Sequence, residues 1–236
     1  MESTFLTAEW RKLIMANYAV DPLILEPYLP ANTELDFWNG RCYVSLVGFL
    51  FKDTRLKGVR VPFHHTFEEV NLRFYVRYND NGTWKRGTVF IKEIVPKAAI
   101  TWVANTIYKE KYVTMPMRHA WEQNGKELSV SYHWKLQRWF TLQVVTNLTP
   151  QPIAVGSEAE FITEHYWGYT RGADGHTSEY GVEHPRWEVY ATKSYEIDAD
   201  FGALYGNAFQ SLNAATPDSV FLAEGSAIAV KSKKLL

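Results

Sequence analysis

The sequence has a single cysteine, Cys42, in 236 residues, which excludes an intrachain disulfide and a thiolate zinc site built from this chain alone. Positive charge is not in excess either, because 25 Lys and Arg residues stand against 26 Asp and Glu residues. Proteins that bind nucleic acid need a basic surface to neutralise phosphates. We therefore expect a cytoplasmic protein that does not bind nucleic acid.

Long apolar runs and the common cofactor motifs are also missing. No run approaches the roughly 18 residues that a membrane span requires, and no cationic segment followed by an apolar one opens the chain. We expect neither a membrane segment nor a secretory signal. The sequence contains no Gly-x-Gly-x-x-Gly, Walker or Gly-x-Ser-x-Gly motif and no histidine spacing typical of a metal site. It therefore predicts no metal, no nucleotide and no other cofactor.

Apolar and aromatic residues are plentiful, at 46% and 15% of the chain. Aromatic side chains favour strands and often line ligand pockets. Mainly β domains of roughly 200–250 residues are common. The sequence shows no repeat and no linker, so we predict one domain over residues 1–236 that is mainly β with a few helices.

Turn signals and apolar periodicity locate the elements. Strands are predicted for the segments 41–51, 67–78, 84–95, 126–145 (two strands), 188–197 and 221–230, with a hairpin turn at Asn39-Gly40 before the first of them. Helices are predicted from Thr7, where Trp10, Leu13 and Ile14 recur at helical spacing, and in three further places. These are a short helix opened by Asp21-Pro22, a helix starting at Pro96, and a helix over 201–212.

One predicted strand carries a polar face. Glu69, Asn71 and Arg73 alternate with apolar residues, so on a strand all three side chains point to the same side. This face meets either solvent or a wet cavity. In a cavity, Arg73 would suit a carboxylate because its guanidinium donates two parallel hydrogen bonds.

Several segments, taken together and in this order, cover nearly the whole chain and resemble one family. They are Trp10 to Pro30, Asp36 to Phe51 with Asn-Gly-Arg before an apolar strand, Phe67 to Val76, Met115 to Ala120, Phe161 to Tyr166, and Val182 to Trp187. The chain resembles uncharacterised bacterial proteins of the acetoacetate decarboxylase-like superfamily. The resemblance implies an antiparallel, cone-like β barrel with a central cavity, a glutamate of the cavity wall at Glu69, and a lysine that forms a Schiff base.

Lys97 is the position that matches the Schiff-base lysine. It follows Glu93-Ile94 and Pro96, as in the decarboxylases, although the spacing is shorter. A lysine attacks a carbonyl only when its amine is neutral, and burial or the start of a helix lowers its pKa. The second lysine of the decarboxylases is replaced here by Ala98. Lys97 is therefore either a nucleophile or a lysine that is solvated or binds a carboxylate.

The histidines give weaker signals. His119, with Arg118 before it, lies in a stretch that can return to the pocket, and we select both as candidate ligand-binding residues beside Arg73 and Asn71. His64, His65 and His184 have roles that the sequence leaves open. For His165, packing or strand pairing is the default.

Three functions remain open. The first is a lyase of the decarboxylase, aldol or dehydration type that acts on a small keto acid, with Lys97 as nucleophile and Glu69 as catalytic carboxylate. The second is a noncatalytic protein that binds a small carboxylate on the same scaffold. The third is a structural or interaction domain. Each is compatible with a homo-oligomer.

Overall fold

The computed structural model describes residues 3–60, 62–108, 110–172 and 175–236. The strands are β1 (Thr4–Val20), β2 (Thr33–Leu35), β3 (Cys42–Leu56), β4 (Val59–Arg60), β5 (Phe67–Asp80), β6 (Thr83–Val95), β7 (Tyr112–Thr114), β8 (Met117–Asn124), β9 (Glu127–Lys135), β10 (Trp139–Thr146), β11 (Gln151–Pro152), β12 (Trp167–Arg171), β13 (Thr177–Glu183), β14 (Glu188–Tyr190), β15 (Thr192–Asp198), β16 (Ser219–Lys231) and β17 (Lys234–Leu235). The α-helices are α1 (Ala98–Val103), α2 (Glu158–Thr163) and α3 (Phe201–Tyr205). Short 3₁₀ helices span Pro22–Ile24, Glu26–Tyr28 and Asn207–Ala214, and a π-helical turn spans Ala104–Tyr108.

The main sheet returns on itself. Its strands follow the order β16, β1, β3, β5, β6, β12 and β13, and β13 pairs again with β16, which gives a ring-like closure. The neighbours are antiparallel except for β6 and β12, which make a short parallel contact at Gly87↔Trp167 and Gly168↔Thr88. The mainly β fold expected from the sequence is confirmed.

A second, antiparallel sheet covers one side of the first. It has the order β15, β10, β9 and β8. Its inner side chains, such as Tyr132 and Leu142, share a buried cluster with Val70, Leu72 and other residues on the outward face of the ring. Gly48 permits the close approach, because a Cβ there would lie 3.0 Å from the Tyr132 ring. The outward face of β3 and β5 is therefore core, and the inward face is left for a cavity.

The N-terminal segment is a strand, so the predicted helix from Thr7 is wrong. Lys12 has a left-handed φ of 54°, and the pairing of β1 with β3 shifts register between Arg11 and Ile14. This bulge places Trp10 and Leu13 on the same face, three positions apart. Both faces of β1 are buried, so strand alternation is lost and the spacing imitates a helix.

The other element predictions are partly right. Asp21 caps the 3₁₀ helix at Pro22, since its carboxylate accepts the Leu23 N–H at 2.9 Å. The helix predicted over 201–212 is divided at Gly206, which has a φ of 107°. The strand predicted over 188–197 is two strands, β14 and β15, which belong to different sheets. No helix in the described ranges is long and apolar enough to cross a membrane.

Candidate functional site

A cavity of about 220 Å³ lies inside the ring. Each of the seven ring strands contributes side chains to its wall, and α1 covers part of it with Ala99, Ile100 and Val103. Most of the wall is apolar. The polar and titratable side chains of the wall include Glu69, Asn71, Arg73, Thr88, Glu93, Glu110, Tyr112, Thr163, His165, Tyr180 and His184.

The polar face predicted for β5 points into this cavity. Glu69 and Asn71 are 2% and 1% exposed, and Arg73 is 8% exposed, so none of them faces bulk solvent. The intervening Val70 and Leu72 lie in the core between the sheets, as strand alternation requires. The structure therefore brings together three of the residues selected from the sequence.

The acidic part of the wall crosses three neighbouring strands. Glu93 of β6 is paired with Asn71 of β5 on one side and with Tyr112 of β7 on the other. The Tyr112 hydroxyl donates to Glu69 Oε2 at 3.0 Å, and the Asn71 amide donates to Glu69 Oε1 at 2.9 Å. Glu93 Oε2 and Asn71 Oδ1 are buried acceptors without a hydrogen-bond donor among the described residues.

A third carboxylate, Glu110, lies just before β7 on the same wall. It accepts a hydrogen bond from the Thr170 hydroxyl at 2.5 Å and another from Tyr180. Gly168 of β12 makes room for Tyr180, since a Cβ at that position would lie 2.1 Å from Cζ of the ring. The glycine therefore fixes where the Tyr180 hydroxyl meets the carboxylate.

Three carboxylates in one apolar enclosure do not ionise together at their ordinary pKa values. Burial raises the pKa of Glu69 to about 7, although hydrogen bonds from Asn71 and Tyr112 act in the opposite direction. Burial likewise raises the pKa of Glu110 to about 7. Burial, together with the charges of Glu110 and Glu69, raises the pKa of Glu93 well above its usual value. The three groups share their protons as one coupled system near neutral pH.

The other polar part of the cavity is cationic. Arg73 forms no ion pair with the described residues, and its Nε has no hydrogen-bond acceptor among them. His165 lies nearby, donates from Nε2 to Asp36 at 3.1 Å, and has a pKa lowered to about 4 by burial, so its ring is neutral. His184 stacks on Trp187 at 4.3 Å between ring centroids, and burial lowers its pKa also. Arg73 is therefore the fixed positive charge of this region.

Three residues selected from the sequence lie elsewhere. Lys97 is the N-cap of α1 and is not among the described residues that line the cavity. His119 forms a hydrogen bond with Glu68 at 2.7 Å. Burial raises the pKa of Glu68, but this hydrogen bond and the charge of Lys97 bring the pKa of Glu68 below its usual value. Because Glu68 and Glu69 point to opposite faces of β5, the Glu68–His119 pair lies on the face of β5 away from the cavity, and the charge of Lys97 acts on that pair. Arg118 is on the second sheet, with its guanidinium carbon 4.5 Å from the centroid of the Trp139 ring.

The sequence analysis did not select Glu93, Glu110, Tyr112 or Tyr180. The sequence pattern could have pointed to Glu93 as a cavity residue, because it is a lone carboxylate among apolar residues of a predicted strand. The other three reach the cavity only through long-range strand pairing. Of the two histidines with open roles at 64 and 65, His64 lines the cavity, whereas His65 contacts Arg60 and Thr66.

The cavity carboxylates are not arranged as a metal centre. Within the described ranges, no group of three or more His, Cys, Asp or Glu side chains is placed so that it could hold a metal ion. The arrangement instead offers hydrogen-bond acceptors and exchangeable protons on one side and a guanidinium on the other. Such a wall can bind an organic ligand and can exchange protons with it.

Comparisons with known proteins agree with this architecture. The DUF2071 family model, described as an uncharacterized conserved protein (COG2071), matches residues 7–227. The chain is 26% identical over 159 residues to the uncharacterized protein YqjF of Bacillus subtilis (strain 168). That alignment covers 67% of this chain and 62% of YqjF, which is less than two thirds of the relative's length.

Solved structures with the same fold include acetoacetate decarboxylase from Legionella pneumophila (TM-score 0.66, 14% identity, covering 99% of this chain and 88% of that chain). Another is the enduracididine biosynthesis enzyme MppR complexed with pyruvate (TM-score 0.66, 10% identity, covering 100% of this chain and 91% of MppR). At these identities the likeness shows the fold alone. The resemblance stated from the sequence is confirmed: the chain has an acetoacetate decarboxylase-like fold and belongs to the DUF2071 family.

Proposed function

We propose that this chain binds a small carboxylate, such as a keto acid, in the central cavity and that Glu69 transfers protons to and from it. The observation that carries the proposal is Arg73, a buried guanidinium that lines the cavity without an ion pair among the described residues. A buried charge is costly unless a partner compensates it, and a planar guanidinium matches a carboxylate. MppR, a protein of the same fold, is described in complex with pyruvate.

Cavity size and lining favour a small ligand. The volume of about 220 Å³ is below the roughly 300–1,000 Å³ of pockets for drug-sized molecules. The apolar wall would enclose the carbon chain and exclude water, which strengthens the electrostatic contacts of the charged end. A metabolite of a few carbon atoms fits these conditions.

Glu69 has the properties of a general acid–base group. With a pKa of about 7, it is available in both protonation states at neutral pH, the condition for efficient proton transfer. The Tyr112 hydroxyl and the Asn71 amide hold the carboxylate in one orientation. The reaction class that this supports is proton exchange at the carbon next to a carbonyl, a step common to aldol and dehydration reactions of keto acids.

A Schiff base at Lys97 is the alternative route to lyase chemistry. It would require this side chain to reach the cavity from the start of α1, although its charge acts on Glu68 behind the wall. We therefore favour the noncovalent route. Borohydride reduction in the presence of pyruvate, followed by peptide mapping, tests the point, because an adduct on Lys97 would replace this route by the covalent one.

The experiment for the proposed function follows deuterium incorporation into pyruvate and 2-oxobutyrate in D₂O by NMR. The expected result is catalysed exchange that falls by about 100-fold or more in Glu69→Gln. Glu68→Gln is the matched control, since it makes the same change on the opposite face of the same strand. Its exchange rate should equal that of the wild type.

Binding is measured separately by calorimetry. Arg73→Met should weaken keto-acid binding by about 1.5–3 kcal/mol, the range for a hydrogen bond to a charged group. Arg77→Met is the control, because Arg77 pairs with Glu34 outside the cavity. Binding without exchange would favour the noncatalytic function. Absence of any binding by the folded wild-type protein would refute the proposal.

A further inference from the structure

The cavity wall has more acceptors than a simple carboxylate ligand would use. Glu69, Glu93 and Glu110 lie on one part of it, and Arg73 is the single Lys or Arg side chain that the described residues place on its wall. Glu93 Oε2 and Asn71 Oδ1 are buried, and neither receives a hydrogen bond from the described residues. An ammonium group that enters the cavity would donate to both atoms once the Glu93 carboxyl is ionised.

We propose that the ligand is a small carboxylate that also carries a protonated amine, with the ammonium group against Glu93, Asn71 and Glu69 and the carboxylate at Arg73. This inference rests on the proposed function, in which Arg73 binds the carboxylate. It adds the second recognition group and so defines the ligand class as amino-carboxylates.

The strand geometry sets the spacing of the two groups. Asn71 and its cross-strand partner Glu93 lie two residues along β5 from Arg73, which corresponds to about 7 Å of strand. A chain of four methylene groups between the carboxylate and the ammonium has a comparable extended length. An ω-amino acid such as 5-aminopentanoate therefore fits both ends at once.

The charge of the wall also favours an ammonium group. Three carboxylates that repel one another in an apolar enclosure keep some of their protons. A cation placed among them favours their ionised forms, so its binding should release protons near pH 7. A neutral group of the same shape would leave the protons in place. A preference for the cation and a release of protons are thus two independent signatures of the same site.

The experiment compares 5-aminopentanoate with hexanoate, in which a methyl group replaces the ammonium. Calorimetry at pH 7.5 should give a dissociation constant that is about tenfold or more lower for 5-aminopentanoate. Titrations in two buffers with different ionisation enthalpies should detect proton release for 5-aminopentanoate and none for hexanoate. Glu93→Gln should bring the ratio of the two constants towards one, whereas Glu68→Gln should leave the ratio unchanged.

The outcomes separate the two proposals. Equal affinities for the two ligands would overturn the amino-carboxylate inference and leave carboxylate binding at Arg73 intact. Failure of both ligands to bind would overturn the amino-carboxylate inference, and the proposed function would then be decided by keto-acid binding alone. A preference that persists in Glu93→Gln would also refute the inference. If that variant does not fold, absence of proton release in the wild-type protein refutes it equally.

Discussion

Replacement of Glu69 by Gln should change how stability depends on pH. In the folded chain the pKa of Glu69 is about 7, against an ordinary value of 4.5. The folded state therefore binds this proton more tightly than the unfolded state does. Stability contributed by the group is fully present below pH 4.5 and is lost as the pH rises to 7 and above.

The size of the effect follows from the same two values. Each tenfold change in proton affinity corresponds to about 1.4 kcal/mol, so ionised Glu69 destabilises the folded state by about 3 kcal/mol above pH 7. The side chain is 2% exposed, so solvent provides almost no screening. The free energy of unfolding of Glu69→Gln, relative to the wild type, should rise by about 2–3 kcal/mol between pH 5 and pH 8, because a small part of the effect is already present at pH 5.

Urea unfolding at a series of pH values measures this difference. Asp198→Asn is the control, because the ion pair with Arg138 holds the pKa of Asp198 below this window and its effect on stability should be nearly constant between pH 5 and pH 8. If the difference in free energy of unfolding between Glu69→Gln and the wild type were the same at pH 5 and pH 8, Glu69 would not titrate as its burial in the cavity wall requires.

Three further changes test the framework around the cavity. Gly168→Ala should destabilise the protein by about 1–3 kcal/mol in thermal unfolding and displace Tyr180, because the new Cβ would overlap the ring. Glu179→Ala should cost about 3–5 kcal/mol in urea unfolding, because Glu179 is fully buried and pairs with Lys85 at 3.1 Å; a change below 1 kcal/mol would contradict this. Trp134→Ala should cost about 3–5 kcal/mol, since this side chain is 0% exposed between the two sheets; retention of the wild-type melting temperature would refute the packing.

The sequence predicts the polar cavity wall of β5 well and the N-terminal strand badly, for related reasons. On β5, one face meets core and the other meets the cavity, so the polar residues fall at every second position. On β1, both faces are apolar and a bulge at Lys12 shifts the alternation by one residue. A pattern with period two is visible only where the two faces of a strand meet different environments.

The site itself could be predicted only in part. Glu69, Asn71 and Arg73 belong to one strand, so local spacing was enough to group them. Glu93, Glu110 and the two tyrosines come together through pairings of β6, β7, β12 and β13, which no local pattern specifies. Lys97 was selected by the resemblance and by its place at the start of a predicted helix. It is the N-cap of α1 and is not among the described residues that line the cavity, so its role in catalysis stays a prediction.

The pairing of β1 with β16 has a consequence for how the cavity arises. Thr4 is paired with Lys231, so a strand near the beginning of the described chain closes against one near its end. Contacts between such distant segments form late, because a long loop must be ordered before they are made. During synthesis, the inward faces of β3 and β5, which include Glu69, stay open to water until β16 emerges. We expect folding to be slow and the ligand to bind only after β16 has docked.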